Sequence, residues 1–469
     1  MQTLKAALKK EENWTLDKIN GLISLKNLQV HTAFVSLNPN LEKEYDNIVD
    51  LVWKVGHYRM IEEFRKRLKL QKKLVNSFRV FLADATKFYL FWIKGWAYAY
   101  GLVRVQELVV SRLDVYDSDY GPDFVLAQLA LSHALQDKVS KTIQRCLIYL
   151  GDLARYRELH VANNGKREKM WSLARNFYTL AIWLFPEHGN PFNQLAVIES
   201  YEGNEMGALE YYFKSLSVTV PFSTGFDNVV VLLKKISVRE SSKDAQQQSV
   251  SHYLILMHSA LLIEKSLDKF SQYKLSFLKV LYQDLLKGNM INSRFLKGIW
   301  SHSALQSLGG QDGKERQLVL WDISIEIMGM ILKYIIDGQN KLDLCFNALK
   351  LYIRFLLGHL DNDRVVDAFR DNIRPLIISY FNRFVSEYSY LLQEPLNLEL
   401  LREDIENIGW LLFVNDPTSS SWTLDRLNEN SMDELRVRET QILFLGLQLE
   451  KYPVYFLKIM IIDIRDHYY

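Results

Sequence analysis

An all-α protein is what this sequence predicts, and three observations carry the prediction. Apolar residues return at i, i+3, i+4 and i+7 through most of the chain, prolines and glycines number only 9 and 21 among 469 residues, and no segment alternates with period two beside a hairpin turn. Apolar residues make up 48% and charged residues 24%, a balance suited to long helices that pack on one another. The length allows roughly two to four domains and a large core.

Taken in chain order, the first strong element is YRMIEEFRKRLKLQKK, residues 58–73. Met60, Ile61, Phe64, Leu68 and Leu70 hold a predicted helix on the core, while Arg59, Arg65, Lys66, Arg67, Lys69, Lys72 and Lys73 are displayed in a row. Such a run is either a solvated basic face or a surface for phosphate or nucleic acid, because guanidinium forks grip phosphate oxygens in pairs. Next comes the most apolar window, FYLFWIKGWAYAYGLV at 88–103, which is shorter than a bilayer span of about 20 residues and contains Lys94. It predicts an aromatic-rich core helix.

The stretch RCLIYLGDLARYREL, residues 145–159, predicts another amphipathic helix. Ile143, Cys146, Leu147, Leu150, Leu153 and Ala154 form its buried stripe. Arg145, Tyr149, Asp152, Arg155 and Tyr156 fall on the other face, which predicts either a solvated side with ion pairs or a binding surface. Beyond it, Ala174, Tyr178 and Ala181 recur 34 residues later as Ala208, Tyr212 and Ser215, and Pro186 recurs one residue out of phase as Pro221. Leu150-Gly151 likewise matches Leu195-Ala196, with an insertion around HVANNGKREK. Small, aromatic, small, then proline is the second helix of a tetratricopeptide-type pair, in which small residues allow close approach and proline ends the helix.

The polar stretch ISVRESSKDAQQQSV at 236–250 breaks the periodicity and predicts a domain boundary, giving a first domain of 1–240 and a second of 241–469. Polar segments at 302–316 and 414–434 read as loops, and VLWDISIEIMGMILKYIID and LCFNALKLYIRFLLGHL as long helices. The formal charge of +2 makes any basic surface a local one. Two cysteines, Cys146 and Cys345, argue for a reducing compartment, and the N-terminus has no apolar signal core. The expectation is a chain of cytoplasm and nucleus that does not enter membranes.

Enzymatic motifs are missing. GGQDGKE at 309–315 is one residue short of a phosphate-binding loop and has Glu where Ser or Thr would meet magnesium. DNDRVVDAFRDN at 361–372 lacks the glycine and final glutamate of a calcium loop. There is no H-E-x-x-H, C-x-x-C or G-x-S-x-G, so no catalytic residue, metal or cofactor is expected.

The segment CLIYLGDLARYRE, with ARNFYTLAIWLFPEHGNPFNQLAVIESYEGNEMGALEYYFKSLSVTVPF after it, resembles the Est/Smg family of 14-3-3-like adaptors of telomerase and nonsense-mediated mRNA decay. The likeness is strong over residues 145–222, with fainter echoes in LVWKVGHYRMIEEFR, LREDIENIGWLL and ELRVRETQILFLGLQLEKY. It implies a 14-3-3-like helical domain with tetratricopeptide-type repeats, followed by an α-helical hairpin domain. It also implies a pocket for a phosphorylated peptide, with Arg155 and Tyr156 of G-D-L-A-R-Y supplying an Arg-Tyr pair. The third family helix supplies further cations seven residues apart, and the match puts these at Tyr58 and Arg65. Tyr58 departs from the cation expected there, which leaves Arg59 and Lys54 as substitutes. Asn193 of N-P-F-N-Q-L is either a ligand for the peptide backbone or the cap of a turn between repeats.

The resemblance further implies a non-enzymatic decay adaptor that binds the up-frameshift RNA helicase. The alternative is a telomerase accessory subunit that binds telomerase RNA and a telomere end-binding protein. Lys66, Lys69, Lys72 and Lys73 are the expected sites of any additional RNA contact.

Overall fold

The computed structural model describes residues 49–68, 74–113, 133–160, 169–241, 249–287, 294–306, 310–338, 346–357 and 373–387, together with Gln441 and Leu445. The described residues are helical apart from short turns, with one isolated parallel bridge between His188 and Val220. None of their helices is long and apolar enough to cross a membrane. The chain divides into two compact units, Met1–Phe185 and Pro186–Tyr469.

In the first unit a π-helical stretch, Val52–Tyr58, runs without a break into α1 (Arg59–Leu68). Helix α2 (Leu74–Ala99) carries the aromatic window and buries Phe78, Phe81, Tyr89 and Trp92; Phe64 of α1 stacks on Phe78 with ring centres 4.8 Å apart. Gly101, at φ +58°, ends α2: its N–H reaches the Tyr98 carbonyl and that of Leu102 the Ala97 carbonyl, at 3.2 and 2.9 Å. This left-handed close satisfies carbonyls that the helix itself leaves open. A short helical passage over 103–113 follows, then α3 (His133–His160) and α4 (Ser172–Leu184).

Helix α3 packs between α2 and α4. The six apolar positions predicted for its stripe are all buried. At the far end of α4, Gln144 donates to the carbonyls of Ala181 and Phe185 at 2.9 and 3.0 Å, and Arg104 donates to that of Leu184 at 3.1 Å. Side chains from elsewhere in the unit thus close the carbonyls that a helix C-terminus exposes.

The second unit begins with α5 (Gly189–Tyr201) and α6 (Glu205–Leu216), an antiparallel pair turned by Gly203 at φ +78° and capped by Asn204, which accepts from Gly207 N–H at 3.1 Å. Helix α7 (Gly225–Ser241) packs on α6. Then follow α8 (Val250–Ser259), α9 (Leu267–Leu286), α10 (Arg294–Gln306), α11 (Gly310–Asp337), α12 (Phe346–Leu357) and α13 (Arg374–Glu387).

The repeat residues lie where close helix packing needs them. Ala174, Tyr178 and Ala181 on α4, and Ala208, Tyr212 and Ser215 on α6, are all buried. Gly151 on α3 shows why one of its repeat positions must be small, since a β-carbon there would lie 2.3 Å from the Tyr178 ring.

One sequence reading needs correction. The polar segment at 302–316 is mostly helix, with α10 reaching Gln306 and α11 starting at Gly310. The polar groups of its first part, His302, Ser303 and Gln306, are buried and bonded internally, while Asp312, Lys314 and Glu315 face solvent. His302 and His258 share a hydrogen bond of 2.8 Å between their Nδ1 atoms, the His302 ring lies flat on Phe213, and Arg316 donates to Gln306 at 2.8 Å. Helix α7 runs on to Ser241, into the polar stretch at 236–250. The segment at 414–434, the 361–372 stretch and Cys345 lie outside the described residues.

Two outcomes follow from this packing. Enlarging Gly151 to Ala, or Ala208 to Leu, overpacks a helix contact and should cost about 1–3 kcal/mol, read as a lowered thermal midpoint. Burial holds the His258 imidazole down at about 3 from its ordinary 6.5, so the folded state refuses a proton that the unfolded chain accepts. Stability from this source should be complete above the unfolded value and fall as pH drops towards the folded one. Urea melts across that range should show a shallower fall for His258→Gln than for the wild type.

Candidate anion-binding site

The first unit gathers a polar cluster where α1, α3 and α4 meet. Helix α3 supplies Asp152, Arg155 and Tyr156, placed by i, i+3 and i+4 spacing on one face. Arg155 donates to Asp152 at 2.7 Å and to the Tyr178 hydroxyl of α4 at 3.3 Å, and that hydroxyl donates to Asp152 at 2.7 Å. The three groups close a ring of charge-assisted bonds.

Tyr156 lies under both arginines, with Arg155 Cζ 4.7 Å and Arg65 Cζ 5.4 Å from its ring centre. This arrangement brings Arg65, Arg155 and Tyr156 together. Arg65 also ion-pairs with Glu62 one turn earlier on α1. Tyr58 completes the near surroundings as an electrostatic neighbour of Tyr156 and Arg65, and it is 40% exposed.

Burial changes the meaning of the polar face of α3. Read as open from its sequence, it is covered: Arg155 is 8% exposed, and Tyr149, Asp152 and Tyr156 are buried as well. The cause is aromatic and cationic cover from the neighbouring helical segments. Trp53 stacks on Tyr149 with ring centres 4.4 Å apart, and Arg65 lies over Tyr156. The Arg65 side chain retains 37% exposure, so it is the guanidinium more open to solvent.

Desolvation, then the Asp152 carboxylate, pushes the Tyr156 phenol up to about 12, and the same two causes raise Tyr178 well above its ordinary value. Both stay neutral donors at physiological pH. Burial works against the Arg155 charge, but Tyr178 and Asp152 outweigh it and hold the guanidinium protonated. His160, in the last turn of α3, is pushed down to about 4 by burial and by Arg65, Lys169 and Arg155, against a smaller opposing effect of Glu62.

The other expected residues lie differently. Lys54 pairs with Asp50 at 3.4 Å, and Asp50 also accepts from Tyr149 at 2.8 Å, so Lys54 belongs to a separate cluster. Arg59 is half-buried beyond Tyr58. Lys66 pairs with Glu63 at 3.1 Å, while Lys69, Lys72 and Lys73 lie outside the described residues. Asn193 belongs to the second unit, where it is buried inside α5 and accepts from Asn228 at 2.9 Å. It caps no turn, because α5 begins at Gly189.

Sequence reasoning did not place Glu62, Tyr178 or His160 in the site, and it gave Asp152 only as a member of the polar face of α3. The Asp152–Arg155 spacing is a usable signal, since residues three apart on a helix meet. Nothing in the sequence shows that the repeat aromatic Tyr178 would turn its hydroxyl into this ring. Tyr178→Phe should cost about 1.5–3 kcal/mol in urea melts, the range for a hydrogen bond to a charged group. It leaves the ring packing on Gly151 in place.

Among the described residues, no group of three His, Cys, Asp or Glu side chains is arranged to hold a metal ion. Comparison with known proteins matches residues 47–161 to the family model of telomerase activating protein Est1, and residues 174–417 to that of the Est1 DNA/RNA binding domain. The nonsense-mediated mRNA decay factor SMG7 of Arabidopsis thaliana is 32% identical over 224 residues, 43% of this chain and 20% of that protein. SMG7 of Danio rerio is 33% identical over 263 residues, 51% of this chain and 21% of that protein. The chain therefore spans about a fifth of the length of these relatives. Among solved structures, the crystal structure of Est1 and Cdc13 shares the fold at a TM-score of 0.69 and 15% identity, covering 95% of this chain and 94% of that one. With a family model spanning more than half its length, the chain belongs to the Est1 DNA/RNA binding domain family, the group of 14-3-3-like helical proteins that its G-D-L-A-R-Y segment resembles.

Proposed function

We propose that this protein is a non-enzymatic adaptor of nonsense-mediated mRNA decay, which binds the phosphorylated up-frameshift RNA helicase and links it to mRNA degradation. The observation that carries the reading is the meeting of Arg65 and Arg155 on the Tyr156 ring. Two guanidinium groups beside a neutral phenol offer forked donors to a phosphate, the geometry in which arginine outperforms lysine. Similarity to the SMG7 decay factors supports the choice of pathway.

A second reading is a telomerase accessory subunit that binds telomerase RNA and a telomere end-binding protein. The Est1 family models and the fold likeness to Est1 favour it. Association in cells separates the two: recovery of the helicase with the tagged protein supports decay, and recovery of telomerase RNA without the helicase supports the alternative.

Arg155 is a poor first target for charge reversal, because a glutamate there would face buried Asp152. Arg65, being more exposed, is the better one. Arg65→Glu should weaken binding of a phosphoserine peptide by more than tenfold, since a charge-assisted bond contributes roughly 1.5–3 kcal/mol. Arg155→Lys, which keeps the charge and loses the fork, should weaken it less. Unchanged affinity in a folded Arg65→Glu protein, judged by circular dichroism and calorimetry, removes the site from consideration.

A further inference from the structure

The cluster holds one group that the phosphate reading leaves unused. His160 ends α3, one turn beyond Tyr156, and the two rings lie nearly parallel with centres 6.5 Å apart. On its other side the ring approaches Phe78 of α2, at 6.2 Å. The residue is partly exposed, yet its Nε2 atom is shut off from solvent and has no hydrogen-bond partner among the described residues. Arg65 Nε is in the same condition. Two polar atoms buried without partners, on two residues that flank one tyrosine ring, are a cost that a folded chain rarely carries without use.

The charged and titratable surroundings of His160 come from three directions. Arg155 and Tyr156 lie on its own helix, Arg65 and Glu62 on α1, and Lys169 in the segment before α4. Burial, and then the surplus of cations among these neighbours, keeps the imidazole neutral while the site is empty. A phosphate dianion reverses that balance at one stroke. The position of His160 in the last turn of a 28-residue helix also favours its charged form, because the carbonyl end of the helix attracts a cation.

We propose that His160 is a third cationic member of the anion site, neutral when the site is empty and protonated when a phosphoserine dianion docks between Arg65 and Arg155. It supplies the positive charge that Tyr58 does not. The inference rests on the phosphate reading above and adds a residue and a proton to it: binding takes up one proton from solvent, which resides on the imidazole. The sign follows from linkage. Affinity due to His160 grows as pH falls through the imidazole value of the complex, and levels off below the empty-site value of about 4. The phosphate group itself works the other way, losing its second charge near pH 6, but it does so equally for any variant of the protein.

The test pairs two measurements on the full chain, using a short synthetic peptide with one phosphoserine and its unphosphorylated counterpart. The first follows the His160 ring carbon by NMR in histidine-labelled protein, assigned by its loss in His160→Gln. The midpoint should lie below about pH 5 in the free protein and rise by about one unit or more with saturating phosphopeptide. The second compares the affinities of wild type and His160→Gln at about pH 7 and pH 5.5, where the ratio cancels the titration of the phosphate. The wild-type advantage should grow by about threefold or more on acidification. An Arg65-dependent complex in which the His160 signal does not move, or a ratio that stays flat, overturns the role of His160 and leaves the phosphate reading standing. Failure of the phosphopeptide to bind in an Arg65-dependent way overturns both.

Discussion

A guanidinium removed from water is stable only when its bonds are replaced, and the first unit is arranged around that requirement at Arg155. Asp152 on its own helix and Tyr178 on the next provide the replacement, and Tyr178 reaches them because Gly151 leaves room for its ring. The spacing of α3 and α4 is thereby tied to a polar contact as well as an apolar one. Loosening the helix pair would separate Tyr178 from both partners, and a buried ion pair deprived of its third member is costly. The Tyr156 ring follows Arg155 in the sequence, so fixing one positions the other for Arg65 to cover.

Buried polar chemistry recurs in the second unit with a different chemistry. His258, His302, Gln306 and Arg316 form a chain of hydrogen bonds across three helices, with Phe213 as a floor under His302. Trp321 adds a bond to Ser303 at 3.1 Å. Neutral imidazoles suit this place because they bond through ring nitrogens without bringing a charge of their own into the core. In both units, then, side-chain polar groups inside the helical layers are linked to one another across helices.

That property sets the limit of what the sequence discloses. The apolar stripe of α3, the aromatic core helix α2 and the 34-residue recurrence were legible, because burial of periodic apolar groups depends on local spacing alone. The Arg155–Tyr156 pair and Arg65 were legible through an ordered motif. Polarity misled where tertiary partners absorb it: the covered face of α3 reads as solvent-facing, and the segment at 302–316 reads as a loop although most of it is helix. The winding of Val52–Tyr58 is equally hidden. In a π-helix the residue bonded below Tyr58 is five positions back, and the Trp53 ring does lie 6.1 Å from that of Tyr58. Lys54 instead pairs with Asp50, at 3.4 Å.

The ion pairs at the site have a consequence for what the site ignores. Each arginine there already faces a carboxylate, Arg65 with Glu62 and Arg155 with Asp152, so these two pairs carry no net charge between them. An anion that docks there competes with those partners for the guanidinium groups. A phosphodiester of a nucleic-acid strand offers one negative charge, spread over a chain that must stay extended. A phosphomonoester offers about two, concentrated on three oxygens. On the phosphate reading proposed above, the internal carboxylates set a threshold, which a dianionic phosphomonoester is better placed to clear than a single phosphodiester.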